Sequence, residues 1–395
     1  MDSHNKIENL LTRRVAKILP TKEGLAKFMG KRKIRLYQGF DPTGYHLHLG
    51  HSIGLRKLME FANLGHEVIV VFGTGTVLVG DPSQRDSTRK FITQQEIENN
   101  IKDWKRQVAP LVDFSKVTIK QNGDWLIPLT LRDIIKIASN ISAVQLFKRE
   151  MFQRRIKQGD TVWYHETMYP LLQGYDSVAM DVDLEIGGTD QEFNMLIGRE
   201  LQQKMNGHEK YVLTVPMIFG TDGKQMSKTT GNCIWLDDTA RDMFGKIMSM
   251  PDQNIVPYMT LVTNMELSEI EKIEKGLKAK TINPKDAKEI LGKEIVKNFY
   301  GSAAAKIAAT EFKRVFSKKQ QPTKIPGISL REKGLPLVDL IVKAKLASSK
   351  SEARRLILQK GIKIDGEVQT DPAKIVAVRR GSVLQAGPRR FVRMQ

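Results

Sequence analysis

Ile34-Arg-Leu-Tyr-Gln-Gly-Phe40 leads through an Asp-Pro turn into His48-Leu-Gly-His51, and from there into Ser52-Ile-Gly-Leu-Arg-Lys-Leu-Met59. The first run reads as a buried strand and the last as a helix. A helix start offers unpaired N–H groups and the positive end of a dipole, so the turn between them favours phosphate. Histidines at i and i+3 share one face of that first turn and can point at one anion. Working outward, Glu67-Val-Ile-Val-Val-Phe72 is a second buried strand, followed by a Gly-rich turn. Val117–Lys120 and Asp181–Ile186 read as further strands, and Leu129–Lys157 as a long helical stretch rich in Arg and Lys. Residues 1–30 read as helical, with Ile7, Leu10, Leu11, Val15 and Ile18 at helical spacing before Pro20. Strands alternating with helices predict an α/β fold with a parallel sheet covered on both faces.

The chain has 395 residues, enough for two or three cores, and a net charge of +19. That charge predicts an anionic partner, nucleic acid first. The single cysteine, Cys233, excludes an intramolecular disulfide framework and a Cys-based zinc site. A reducing, cytoplasmic setting fits. The first thirty residues lack the apolar core of a secretory signal, and no uncharged apolar run reaches the roughly 18 residues that span a bilayer.

A second chemical segment, Met226-Ser-Lys-Thr229, lies in a Gly-flanked stretch, Gly220–Asn232. After it the pattern turns to helices with polar connections through about Phe316. A charged, Pro-containing linker follows. From Leu335 to Gln395, thirteen Lys/Arg oppose five Asp/Glu, a net of +8. Within this basic tail, Ser349-Lys-Ser-Glu352 is a capping box opening a helix through Gln359, with Gly361 as its stop. Asp365-Gly366 predicts a hairpin turn between Ile362–Ile364 and the residues after it.

Gly39–His51, Tyr169-Pro-Leu-Leu-Gln-Gly-Tyr-Asp176, Gly187-Gly-Thr-Asp-Gln191 and Met226–Thr229 occur in that order. Together they resemble the motifs of class I aminoacyl-tRNA synthetases, in the form of the bacterial tyrosyl type. Lys350–Lys363 resembles the S4-type RNA-binding module. The resemblance implies a Rossmann-like parallel-sheet catalytic domain over 1–232 that includes a connective helical insertion. It further implies an α-helical anticodon-binding domain over 233–320, a linker over 321–334 and a small α+β S4-like domain over 335–395. It implies a homodimer paired through the Leu129–Lys157 region, with tRNA, tyrosine and ATP as partners and no membrane. Mg2+ would accompany ATP, with no protein-bound metal site.

For the catalytic step the resemblance points to Thr43, His48, His51 and Lys228. It assigns tyrosine to Tyr37, Asp81, Tyr169, Gln173 and Asp176, the ammonium falling to Asp81, Tyr169 and Gln173. ATP and pyrophosphate fall to Asp41, Gly50, Arg85, Arg89, Asp190, Gln191, Ser227 and Lys228. Read from the residues alone, Asp81 is equally a turn cap, Arg85 and Arg89 a solvated basic face, and Tyr37 a packing aromatic. Lys350, Arg354, Arg355, Lys360 and Lys363 suit phosphate contacts and shape reading of RNA. Several positions depart from the family pattern: Gln225 and Thr229 in the lysine loop, Arg85 where Lys is common, Glu185 where many relatives carry Gln, and Gly54 where some carry Thr. Rival readings are the related tryptophan enzyme, a more distant nucleotidylyltransferase, and an RNA-binding protein without catalysis.

Overall fold

The computed structural model describes residues 3–81, 92–226, 231–317, 325–330, 332, 334–377, 379–387 and 390–395. Two compact units divide it, Met1–Ala305 and Lys306–Gln395.

The first unit is built on a six-stranded sheet. Its strands are β1 (Lys17–Leu19), β2 (Arg35–Phe40), β3 (Glu67–Phe72), β4 (Val117–Gln121), β5 (Leu184–Gly188) and β6 (Tyr211–Val215), in spatial order β1-β6-β5-β2-β3-β4. All neighbours are parallel except β1 and β6. The central strands are β-branched and apolar because helices cover both faces. Leu36, Val71, Leu184, Val212 and Leu213 are fully buried, each worth about 1.5–3 kcal/mol. From β2 the chain winds one way through β3 and β4, and β5 and β6 lie on the other side. The order therefore reverses between β2 and β5, and such a switch point opens a crevice at the carboxyl ends of the strands. Gly39 shows that opening directly: it lies in a central strand yet is exposed, and a Cβ there would meet nothing within 4 Å.

Two stretches depart from their sequence periodicity. Ile7–Ile18 does not form one helix; the helix Ser3–Leu10 ends, Arg14 takes a φ of 60°, and Lys17–Leu19 becomes a sheet edge. Arg13 and Arg14 explain the break, since both donate to main-chain carbonyls around the end of helix Ile255–Val262: Thr260, Leu261, Thr263 and Met265. Leu129–Lys157 is likewise three short helices, Leu131–Ala138, Ala143–Phe147 and Glu150–Lys157. Thr130 and Ser142 cap the first two, restarting the backbone where the amphipathic pattern runs on. Helices from Ala240 to Phe312 continue the pattern expected after Asn232.

In the second unit a buried cluster of Leu337, Leu340, Ile341, Ala353, Ile357 and Ile362 packs two helices on a small sheet. Ser349 caps helix Lys350–Leu358, while the Glu352 carboxylate reaches back to Ser348 rather than Ser349. The left-handed stop is Lys360, at φ 58°, not Gly361. Gly361 is needed for space instead, since its Cβ would sit 3.2 Å from the Leu356 carbonyl oxygen. The Asp365-Gly366 hairpin forms with both residues at positive φ.

Candidate active site

The carboxyl end of β2 runs into Asp41 and the loop 42–47, which helix Gln94–Val108 braces. Asn100 and Trp104 donate to the carbonyls of Pro42 and Gly44, and the Gln107 side chain bonds both Tyr45 and Leu47. Thr43 lies in this braced loop, its N–H on the Asp41 carbonyl at 2.7 Å. His48 then caps the helix Leu49–Asn63. Its Nδ1 accepts from the Gly50 N–H at 3.2 Å, and His51 Nδ1 accepts from the His48 N–H at 3.2 Å. The two rings lie 4.0 Å apart, so the pair occupies one face of the helix start as its spacing predicts. Gly50 leaves room for this cap, because a Cβ would fall 2.9 Å from the His48 ring.

The turn is also tied to a distant segment. Leu49 N–H bonds the Ile234 carbonyl at 2.9 Å, and Leu236 N–H bonds that of Leu47 at 2.8 Å. Residues 231–236 thereby sit beside the histidines, next to a hairpin base in which Asn232 Nδ2 donates to Asp222 and to the Gln225 carbonyl. Ser227 and Lys228 lie outside the described residues, as do Arg85 and Arg89.

Helix Tyr164–Met180 supplies one wall. Tyr169, Gln173 and Asp176 fall at i, i+4 and i+7, which places them on one face. Tyr169 Oη donates to Asp41 at 3.0 Å, and Thr76 Oγ1 donates to the other Asp41 oxygen at 2.7 Å. Asp176 is almost wholly buried and accepts from Asn122 Nδ2 at 3.1 Å and Trp125 Nε1 at 2.8 Å. Burial pushes its carboxyl up to about 8, with Glu185 and Asp41 adding to the shift and the two donors opposing it. Tyr37 on β2 is fully buried with its hydroxyl 2.9 Å from Ser177 Oγ. Burial and the nearby carboxylates of Glu185 and Asp176 hold its phenol well above the ordinary range.

Beyond β5, Asp190 and Gln191 begin the next helical segment, and a run of side-chain amides crosses the floor. Gln173 donates to Glu185 at 3.0 Å, Asn194 donates to Gln173 and Gln191 at 3.0 Å each, and Gln191 donates to Asp81 at 2.8 Å. Arg149, from the helical insertion, brings a guanidinium nitrogen to 3.8 Å from Asp81. Burial lowers that guanidinium against the pull of Asp81.

Among the described site residues, the structure thus gathers Tyr37, Asp41, Asp81, Tyr169, Gln173, Asp176, Asp190 and Gln191 around one crevice, with Thr43, His48, Gly50 and His51 on the loop and helix leading from β2. Sequence reading missed Asn122, Trp125, Thr76, Asn194, Ser177 and Lys210, which hold these groups in place. It also missed Gln38, whose buried Oε1 has no hydrogen-bond partner and lies where a Cβ at Gly54 would be 2.2 Å away. Gly54 is thus a fit to Gln38. In the second unit Lys350, Arg354, Arg355 and Lys360 are exposed on or just after one helix, with Lys363 half-exposed on the next strand; Lys350 also pairs with Asp339 at 2.7 Å.

The geometry agrees with comparison to known proteins. Residues 335–379 match the model of the S4 domain. The tyrosine–tRNA ligase of Thermotoga maritima is 42% identical over 387 residues, covering 98% of this chain and 96% of that protein. That of Moorella thermoacetica is 40% identical over 390 residues, covering 98% and 94%. For the fold, an Archaeoglobus fulgidus tyrosyl-tRNA synthetase solved with L-tyrosine superimposes with a TM-score of 0.62 at 21% identity, over 78% of this chain and all (100%) of that one. A C-terminally truncated Aspergillus nidulans mitochondrial tyrosyl-tRNA synthetase gives 0.67 at 20% identity, over 79% and 94%. With residues 29–317 matching the model for tRNA synthetases class I (W and Y), the chain belongs to that family.

Proposed function

We infer that this chain is a tyrosine–tRNA ligase, an aminoacyl-tRNA synthetase whose crevice selects tyrosine through Tyr37 and Asp176. The observation that carries the choice of amino acid is a phenol on β2 and a carboxylate on helix Tyr164–Met180, Tyr37 and Asp176, both buried and each within electrostatic reach of the other. Full-length similarity to tyrosine–tRNA ligases supports it. A bound phenol hydroxyl meets the remaining donor and acceptor capacity of both groups, whereas phenylalanine leaves that capacity buried and unmet.

In this reading the substrate ammonium sits among Asp81, Tyr169 and Gln173, which offer the acceptors that –NH3+ needs. The tyrosine carboxylate oxygen attacks the α-phosphorus of Mg-ATP and pyrophosphate leaves. Thr43, His48, Gly50 and His51 meet phosphate at the helix start, and Asp41, Asp190 and Gln191 orient the nucleotide and the carboxylate. Arg85, Arg89, Ser227 and Lys228 meet the leaving pyrophosphate, Ser227 and Lys228 late enough to favour the transition state. The terminal ribose hydroxyl of the tRNA then attacks the adenylate carbonyl and AMP leaves.

Residues 1–232 carry this chemistry, 233–320 face the anticodon side, and 335–395, joined by 321–334, hold RNA through Lys350, Arg354, Arg355, Lys360 and Lys363. Two copies pair through the helical insertion, where Ile127, Leu131, Ile135 and Val144 expose 59–75% of their surface. We place the reaction in the cytoplasm; among the described residues no helix is long and apolar enough to cross a membrane. Amino-acid-dependent exchange of pyrophosphate into ATP, run over all twenty amino acids, tests the reading. Tyrosine alone should support exchange; tryptophan in its place, or none, overturns it.

A further inference from the structure

Behind Tyr37 lies a charged group with no part in the reaction as described. Lys210, immediately before β6, is fully buried; it donates to Ser177 Oγ at 2.5 Å and pairs with Glu185. Its ammonium sits 5.7 Å from the centre of the Tyr37 ring. The space it occupies is built for it: a Cβ on Gly198 would fall 2.5 Å from Lys210 Nζ and 3.1 Å from Ser177 Oγ.

The hydrogen-bond directions follow from the chemistry of the groups. An ammonium has donors only, so Ser177 Oγ accepts from Lys210. Ser177 then has one proton to give, either to Tyr37 Oη at 2.9 Å or to Glu185 Oε2 at 3.4 Å. Glu185 Oε2 already receives the ammonium, and its other oxygen receives Gln173. The shorter leg, to Tyr37, is the better bond. The Tyr37 hydroxyl also faces the Glu185 carboxylate, whose oxygens already receive Lys210 and Gln173; accepting from Ser177 behind, it has its own proton to give to the pocket.

We propose that Lys210 is a specificity-determining positioning residue: through Ser177 it fixes Tyr37 as the donor to the substrate phenol oxygen and leaves Asp176 as the acceptor. The proposal rests on Tyr37 and Asp176 being the phenol ligands. It predicts that discrimination depends on a side chain that never touches substrate.

The test is the tyrosine-to-phenylalanine ratio of kcat/KM in pyrophosphate exchange, with the KM for ATP measured beside it. Lys210→Met combined with Glu185→Gln removes the donor without stranding a buried charge. It should lower the ratio about tenfold, the worth of one hydrogen bond, chiefly through the KM for tyrosine and with the KM for ATP within about twofold. Ser177→Ala keeps the Lys210–Glu185 ion pair, removes only the relayed proton, and should show the same tenfold loss. A parental ratio in the double variant or in Ser177→Ala overturns the proposal. If the double variant does not fold, Ser177→Ala decides alone. Tyr37→Phe and Asp176→Asn are the control: an unchanged ratio in both refutes their assignment as phenol ligands rather than the relay.

Discussion

Replacing Asp176 by asparagine separates the charge of this group from its shape. In the free protein burial raises its carboxyl to about 8, so near neutral pH most molecules hold it protonated. One pH unit below that value about one molecule in eleven carries the charge, and two units below about one in a hundred. If the substrate hydroxyl donates to the ionised carboxylate, kcat/KM for tyrosine should climb about tenfold from pH 6 to pH 7, about 1.4 kcal/mol, and flatten past pH 8. The groups facing Asp176 that also carry or release charge are Glu185, Asp41, Tyr37, Tyr169 and Lys210, and all remain in the Asn variant. Asp176→Asn should therefore lose this slope while other titrations persist. It should also lose about 10- to 100-fold in kcat/KM, the worth of a charge-assisted hydrogen bond. Stability gives an independent reading. A carboxyl raised on folding favours the folded state most below its unfolded value, and that advantage drains away as pH rises from about 4 to about 8. Asn lacks the drain, so the Tm difference between parent and variant should move in favour of the variant from pH 5 to pH 9. Equal pH slopes in parent and variant would refute the reasoning.

Three further expectations follow from packing and charge. Arg354→Glu with Arg355→Glu should weaken tRNA affinity and reduce the salt slope of binding by about 1 per lost contact, with tyrosine-dependent exchange unaffected; an unchanged salt slope in filter binding counts against the basic tail. Gly54→Thr displaces the Gln38 amide, since even a Cβ stands 2.2 Å from Oε1; because that is the free end of a flexible side chain, urea unfolding should change by less than about 1 kcal/mol, and a larger loss would mean Gln38 is held fast. Leu131→Arg, at a side chain 75% exposed, should shift sedimentation from dimer to monomer, and an unshifted dimer would place the interface elsewhere.

Much of the site was legible because its signals are local. A strand, a turn and a capped helix are written in adjacent residues, and the face shared by Tyr169, Gln173 and Asp176 follows from helical spacing alone. What was not legible depends on residues that meet only after folding. Asn122 and Trp125 carry no motif, yet they set the surroundings of Asp176 from 54 and 51 residues away. Lys210 reads as one more surface lysine until Gly198 and Ser177 enclose it. Lys17–Leu19 carries helical spacing, but its pairing with β6 nearly two hundred residues later outweighs a weak local preference. Likewise Lys360 rather than Gly361 takes the left-handed turn, because the glycine is consumed by a steric need against Leu356.

The backbone clasp between Leu47–Leu49 and Ile234–Leu236 changes how the distance between the histidine turn and the lysine loop should be understood. The long stretch of chain between them carries β3 to β6, and the clasp then joins the histidine turn directly to the segment that follows the lysine loop. Changes of length in the surface loops of that stretch should leave the clasp in place. A search for the same machinery in divergent or rearranged genes should therefore weigh the order and flanks of the two segments and ignore their spacing.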